Sequence, residues 1–149
     1  MKKFLLIILV MILSNCAGYQ PIFNNKNLDF KISDIKTDES KVSREIAKRL
    51  LLISNDEKLN SIQLELKSKE NERIISRDTK GDPLIFEVLV QLEMNLTNGN
   101  QQKKYTYQEN FLIKNDTNKF ELKKYKENIK DNFTNKIFER IIFDLRQQK

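Results

Sequence analysis

The chain has 149 residues, a formal net charge of +6, one cysteine and no histidine. Without histidine the commonest general base and metal ligand is missing, and a single cysteine excludes an internal disulfide. No Gly-rich phosphate loop or Gly-x-Ser-x-Gly elbow is present, and the carboxylates fall in no recognisable metal or glycosidase arrangement. Lysines and arginines are interspersed with acids rather than blocked, unlike a nucleic-acid binder. A non-enzymatic protein without metal or cofactor is the expectation.

Lys2 and Lys3 precede an apolar run, Phe4 to Leu13. At ~1.5 Å per residue this run covers about half of the ~30 Å hydrocarbon layer, too short for a spanning helix and suited to an export signal. Leu13-Ser14-Asn15-Cys16 resembles the lipobox of bacterial lipoproteins, with Asn15 in place of the usual Gly, Ala or Ser. The resemblance implies cleavage before Cys16, a diacylglyceryl thioether on its sulfur and acylation of its new amino group. A signal anchor with an incidental cysteine is the plainer alternative. By the same family logic Ala17, where an Asp would retain a lipoprotein at the inner membrane, points to the outer membrane. The chain thus divides into a signal peptide (1–15), a lipidated tether (16–27) and one domain (28–149), a size typical of a single core.

Leu28, Phe30 and Ile32 alternate with polar residues, and the phase shifts by one at Ile35, which predicts a strand with an irregularity near its end. Thr37-Asp-Glu-Ser40 suits a helix start, and Val42, Ile46, Leu50 and Ile53 recur at helical spacing with Ala47 and Leu51 beside them, giving a helix over about 39–54 with one apolar face. Ile62, Leu64 and Leu66 predict a second strand that continues towards Ile75 through a polar stretch. Gly81, Asp82 and Pro83 break the chain. Phe86, Val88, Val90, Leu92, Met94 and Leu96 share one face of a third strand, and Asn98-Gly99-Asn100 signals a hairpin. Tyr105, Tyr107, Glu109, Phe111 and Ile113 share one face of a fourth, where Glu109 requires an edge position or a bulge. From about Asn118 to Arg146 the spacing is helical, with Tyr125, Ile129, Phe133, Ile137, Ile141 and Leu145 four apart, giving a helix roughly 40 Å long. The order β-α-β-β-β-α predicts an α+β fold: a four-stranded, mostly antiparallel sheet with both helices packed on one face. The helical stripes and the aromatic row are expected to be core.

Cys16-Ala-Gly-Tyr-Gln-Pro-Ile-Phe23 resembles the mature start of the LPS-assembly lipoprotein LptE family, which commonly begins Cys-Gly-Phe/Tyr-x-Pro-Leu-Tyr. Ala17 is one residue more than that pattern has. The element order and long C-terminal helix are also similar to that family. The resemblance implies a subunit of the LPS translocon, held at the periplasmic face of the outer membrane. Such a subunit plugs the β-barrel LptD, assists its assembly and contacts lipopolysaccharide. Tyr19, Pro21 and Phe23 are then candidate partner contacts, with a clasp on the domain's own core as the alternative. LPS phosphates would favour basic side chains on an exposed loop or sheet edge: chiefly Arg73, Arg77 and Lys80, with Lys67 and Lys69, around the second-to-third strand connection, and Lys103 and Lys104 beyond the Asn98-Gly99-Asn100 hairpin. Two other roles stay open: an auxiliary lipoprotein of a lipid ABC transporter, and an outer-membrane activator of a cell-wall synthase.

Overall fold

The computed structural model describes residues 28–147. The elements are β1 (Lys31–Thr37), α1 (Lys41–Ile53), β2 (Ser61–Arg77), β3 (Pro83–Asn98), β4 (Gln101–Lys114) and α2 (Lys119–Arg146). The four strands lie in chain order in one sheet. β1 runs parallel to β2, and the β2–β3 and β3–β4 pairs are antiparallel. A parallel neighbour needs a crossover, which α1 supplies; the antiparallel pairs need only hairpins. Both helices cover the same face, so their apolar stripes and the inward side chains of the strands make one main core. Ile46, Leu50, Leu66, Leu92, Met94, Ile137, Ile141 and Leu145 are among its fully buried members. The α+β architecture expected from the periodicities is the one observed.

The phase shift in β1 has a structural cause. Its register with β2 slips between Ile32 and Asp34, so Ser33 is the extra residue, and its hydroxyl donates to the Ile62 carbonyl at 3.0 Å. Ile32 and Ile35 both stay on the core side because a bulged residue separates them. The irregularity therefore lies in the first half of the strand, earlier than Ile35 suggests.

β1 ends at a polar clasp. Asp38 accepts from the Ser68 amide at 2.9 Å and from the Ser40 hydroxyl at 2.7 Å, and the Ser40 hydroxyl in turn caps α1 by accepting from the Ser43 amide at 3.2 Å. Burial works to raise the Asp38 carboxyl, but hydrogen bonds from Ser40, Ser43 and the Ser68 and Ser40 amides outweigh it and hold the group below its ordinary range. A carboxyl depressed in the fold contributes stability that is complete above its unfolded pKa of ~3.9 and is lost as pH falls through the folded value. Asp38→Ala is therefore expected to cost about 1–3 kcal/mol at neutral pH and progressively less below about pH 4. Urea melts at pH 7 and pH 3 check this; an equal cost at both would contradict it.

β2 continues to Arg77 through a polar stretch because both faces of that stretch have polar partners. Glu70 and Glu72 point to the helix side, where Lys130 lies 2.9 Å from Glu70 and Lys126 pairs with Glu72. The Lys126 ammonium also sits 3.7 Å from the centre of the Phe86 ring. Glu109 likewise lies on the helix side of edge strand β4, with no register slip, and meets Arg140 at 3.3 Å and Lys136 at 3.8 Å. Tyr107 is buried beneath α2, and its hydroxyl donates to Asp144 at 2.7 Å; burial, then the carboxylate, pushes this phenol well above its ordinary range.

Three expectations of core need correction. Leu51 is 54% exposed, Tyr125 45% and Phe111 44%. The early turns of α2 bury only Leu122, against Val88 and Ile113 in a small satellite cluster. The full stripe engages only from Phe133 onward, where α2 lies over the main core.

Candidate functional site

Cys16, Tyr19, Pro21 and Phe23 lie outside the described residues. The structure does place the point where their segment joins the domain. Leu28 is buried, and its amide donates to the Ile53 carbonyl at 2.8 Å, at the end of α1. This end of the sheet also carries the 54–60 loop, the start of β2 and the β3–β4 turn at Gly99, whose φ of 57° is the left-handed backbone a tight hairpin requires.

Arg73, Arg77 and Lys80 are gathered at the opposite end, on and beside the β2–β3 hairpin. Asp78 builds the turn: its carboxylate accepts from the amides of Lys80 at 2.9 Å and Asp82 at 2.8 Å, and Gly81 takes a φ of 89°. Arg77 donates to the Gly81 carbonyl at 2.8 Å and stays exposed, as does Lys80. Arg73 differs from these two. It pairs with Glu87, which is buried and also accepts from Asn110 at 3.1 Å. The Arg73 and Asn110 contacts hold the Glu87 carboxyl below its ordinary range. Arg73 is therefore committed to the uncovered face of the sheet, and the available cations of the hairpin are Arg77 and Lys80.

Sequence reasoning missed the apolar part of this end. Ile74, Ile75 and Leu84 on the hairpin strands, Phe111 and Leu112 on β4, and Phe120 and Tyr125 on α2 are all exposed. A groove of about 440 Å³ between β4 and the first turns of α2 is lined by Phe111, Leu112, Ile113, Leu122 and Tyr125, with Lys114, Asp116 and Glu121 at its polar positions. The doublet Phe111-Leu112 carried the signal, since adjacent residues of a regular strand point to opposite faces and only one of the pair can join a single core; at Ile74-Ile75 the register with β3 slips and Ile75 is the bulged residue. Cations beside exposed apolar side chains suit an amphiphile with an anionic head.

Towards the tether end, the face of the sheet away from the helices is polar. Asp34, Gln63, Thr97 and Gln102 form one row across the four strands, and Lys36, Glu65, Asn95 and Lys104 form the next. These rows line a depression of about 510 Å³. Much of their charge is paired locally: Lys67 lies 2.7 Å and the Asn95 amide 2.9 Å from Glu65, and Lys104 lies 2.8 Å from Glu93. Among the described residues no group of His, Cys, Asp or Glu is arranged to hold a metal ion, and no helix is long and apolar enough to cross a membrane.

No protein-family model matches the chain, and no curated protein matches it in sequence. Its fold is similar to those of solved structures, among them two lipoproteins. One is the crystal structure of the rare lipoprotein B from Shewanella oneidensis, with a TM-score of 0.58 and 12% identity, covering 75% of this chain and 92% of that one. The other is the solution NMR structure of an uncharacterized lipoprotein B from Nitrosomonas europaea, with a TM-score of 0.55 and 14% identity, covering 87% of this chain and 89% of that one. At these identities the likeness is one of fold, and it extends over nearly the whole of both neighbours.

Proposed function

We propose that this protein is a lipid-anchored outer-membrane subunit of the LPS translocon, without catalytic activity, that plugs the β-barrel LptD, assists its assembly and helps LPS reach the outer leaflet. One observation carries the reading. A fold similar to that of lipoprotein B, whose rare lipoprotein B structures represent the LptE family, follows directly on an LptE-like start, Cys16-Ala-Gly-Tyr-Gln-Pro-Ile-Phe23. The signal segment and Cys16 supply the anchor. Tyr19, Pro21 and Phe23 are assigned to contacts with the barrel near the membrane.

The physics of the domain is compatible with this role. A sheet braced on one face by a 28-residue helix, about 42 Å long, is a stiff wedge. Towards the tether end its other face is polar, like the wall of a wide barrel lumen. The β2–β3 hairpin, at the end away from the tether, combines exposed cations with exposed apolar side chains, which suits the phosphates and acyl chains of LPS. Because Arg73 is needed by Glu87, the informative variant is Arg77→Glu with Lys80→Glu. Reversing both is expected to weaken LPS capture in a pull-down roughly tenfold with no change in the urea melt. Unchanged capture would remove the hairpin from the LPS path.

A further inference from the structure

We infer that the end of the domain where the tether joins lies against the membrane surface, with Leu51, Leu52 and Leu59 set into the lipid interface beside the anchor. The inference rests on the lipidation of Cys16 in the reading above.

Helix α1 shows the pattern most clearly. Its inward stripe, Val42, Ile46, Ala47 and Leu50, is buried, and its remaining positions through Arg49 are mostly polar or charged: Lys41, Arg44, Glu45, Lys48 and Arg49. In the last turn the outward side chains become apolar. Leu51 is 54% exposed and Leu52 is 76% exposed, while Leu50 and Ile53 on either side of them pack on the core. Leu59, in the loop that follows, is fully exposed. Water-facing leucines gathered at one end of a helix and its adjoining loop have no role in this core.

The occupant is indicated by where the tether joins. Leu28 is hydrogen-bonded to Ile53, the Asn55 amide donates to the Phe30 carbonyl at 3.3 Å and the Lys31 amide to the Asn60 carbonyl at 2.9 Å, so the chain segments that carry the three leucines adjoin the point at which the anchored segment meets the domain. Residues 17–27 reach at most roughly 40 Å when fully extended. A domain held that close meets the bilayer at high effective concentration, so a small apolar contact is enough to orient it. The charges do not oppose this. Asp56 is paired with Lys31 at 3.6 Å, and the exposed Lys48 and Lys58 balance Asp29 and Glu57 around the leucines. The contact sets the domain upright, with the β2–β3 hairpin pointing away from the lipid that holds the anchor.

The test uses the lipidated full protein in vesicles of phosphatidylethanolamine and phosphatidylglycerol. The Cys16 thiol is consumed by lipid, so a single introduced cysteine carries an environment-sensitive fluorophore in each of Leu52→Cys, Leu59→Cys and, at the far end, Ile75→Cys. With a quencher attached to the lipid, the Leu52→Cys and Leu59→Cys proteins are expected to lose most of their emission and the Ile75→Cys protein to keep it. Vesicles that float the protein but quench none of the three, or all three alike, would overturn the membrane-facing end and leave the anchor intact. Protein that fails to float with the vesicles would overturn the anchor and this inference together.

Discussion

Cys16→Ser is expected to remove the protein from the outer-membrane fraction and to leave residues 1–15 attached. Serine cannot form the thioether, and the lipobox-like Leu13-Ser14-Asn15-Cys16 ties cleavage to that modification. The uncleaved Phe4–Leu13 run then holds the chain at the inner membrane or leaves it unprocessed. The effect is large because each buried methylene of an acyl chain is worth ~0.8 kcal/mol, and two or more chains make attachment stable where one is marginal. Gradient fractionation with intact-mass measurement checks the result. The wild type should lack residues 1–15 and carry acyl mass, and the variant should show the reverse on both counts. Identical fractionation and processing of the two proteins would support the signal-anchor alternative.

The second large effect lies in α2. Ile137 and Ile141 are fully buried in the main core, one helical turn apart, against the inward side chains of the sheet. Truncating either to alanine is expected to cost about 2–5 kcal/mol through lost transfer energy and a residual cavity. Domains of this kind are stable by only about 5–15 kcal/mol, so the Ile137→Ala, Ile141→Ala double variant approaches the whole of it. Tyr125→Ala and Phe143→Ala, at exposed positions on the same helix, are expected to change stability by less than about 1 kcal/mol. Urea denaturation followed by circular dichroism distinguishes them. Similar losses at Ile137 and Tyr125 would mean that α2 packs through a different face.

This contrast shows why the sequence was legible in some places and opaque in others. The period-2 run from Phe86 to Leu96 sits in the middle of the sheet, where every inward residue meets a helix and alternation translates directly into burial. The same rule fails at Phe111 on edge strand β4, whose neighbour on that face, Ile113, is covered by Leu122 while Phe111 is left at the rim of the groove. Tyr125 keeps the four-residue spacing of the stripe but stands beyond the main core. Spacing reports which face of a helix is apolar, not how far the sheet beneath it extends. The polar stretch of β2 was ambiguous because Glu70 and Glu72 face inward, and only the lysines of α2, more than fifty residues away, explain them. The basic hairpin at Arg77 and Lys80 could be located from composition and turn residues. Its apolar partners come from four separate elements, so no local window contains them all. Arg73 could not be separated from its neighbours without knowing that Glu87 lies beneath it.

The measurement that bears most directly on the translocon reading is co-purification of the tagged native protein from membranes in mild detergent, with Cys16→Ala as control, and mass spectrometry of what accompanies it. The account expects one large outer-membrane β-barrel in stoichiometric amount with the wild type and a depleted yield with the control. An ABC transport complex, a cell-wall synthase or no partner at all would contradict it.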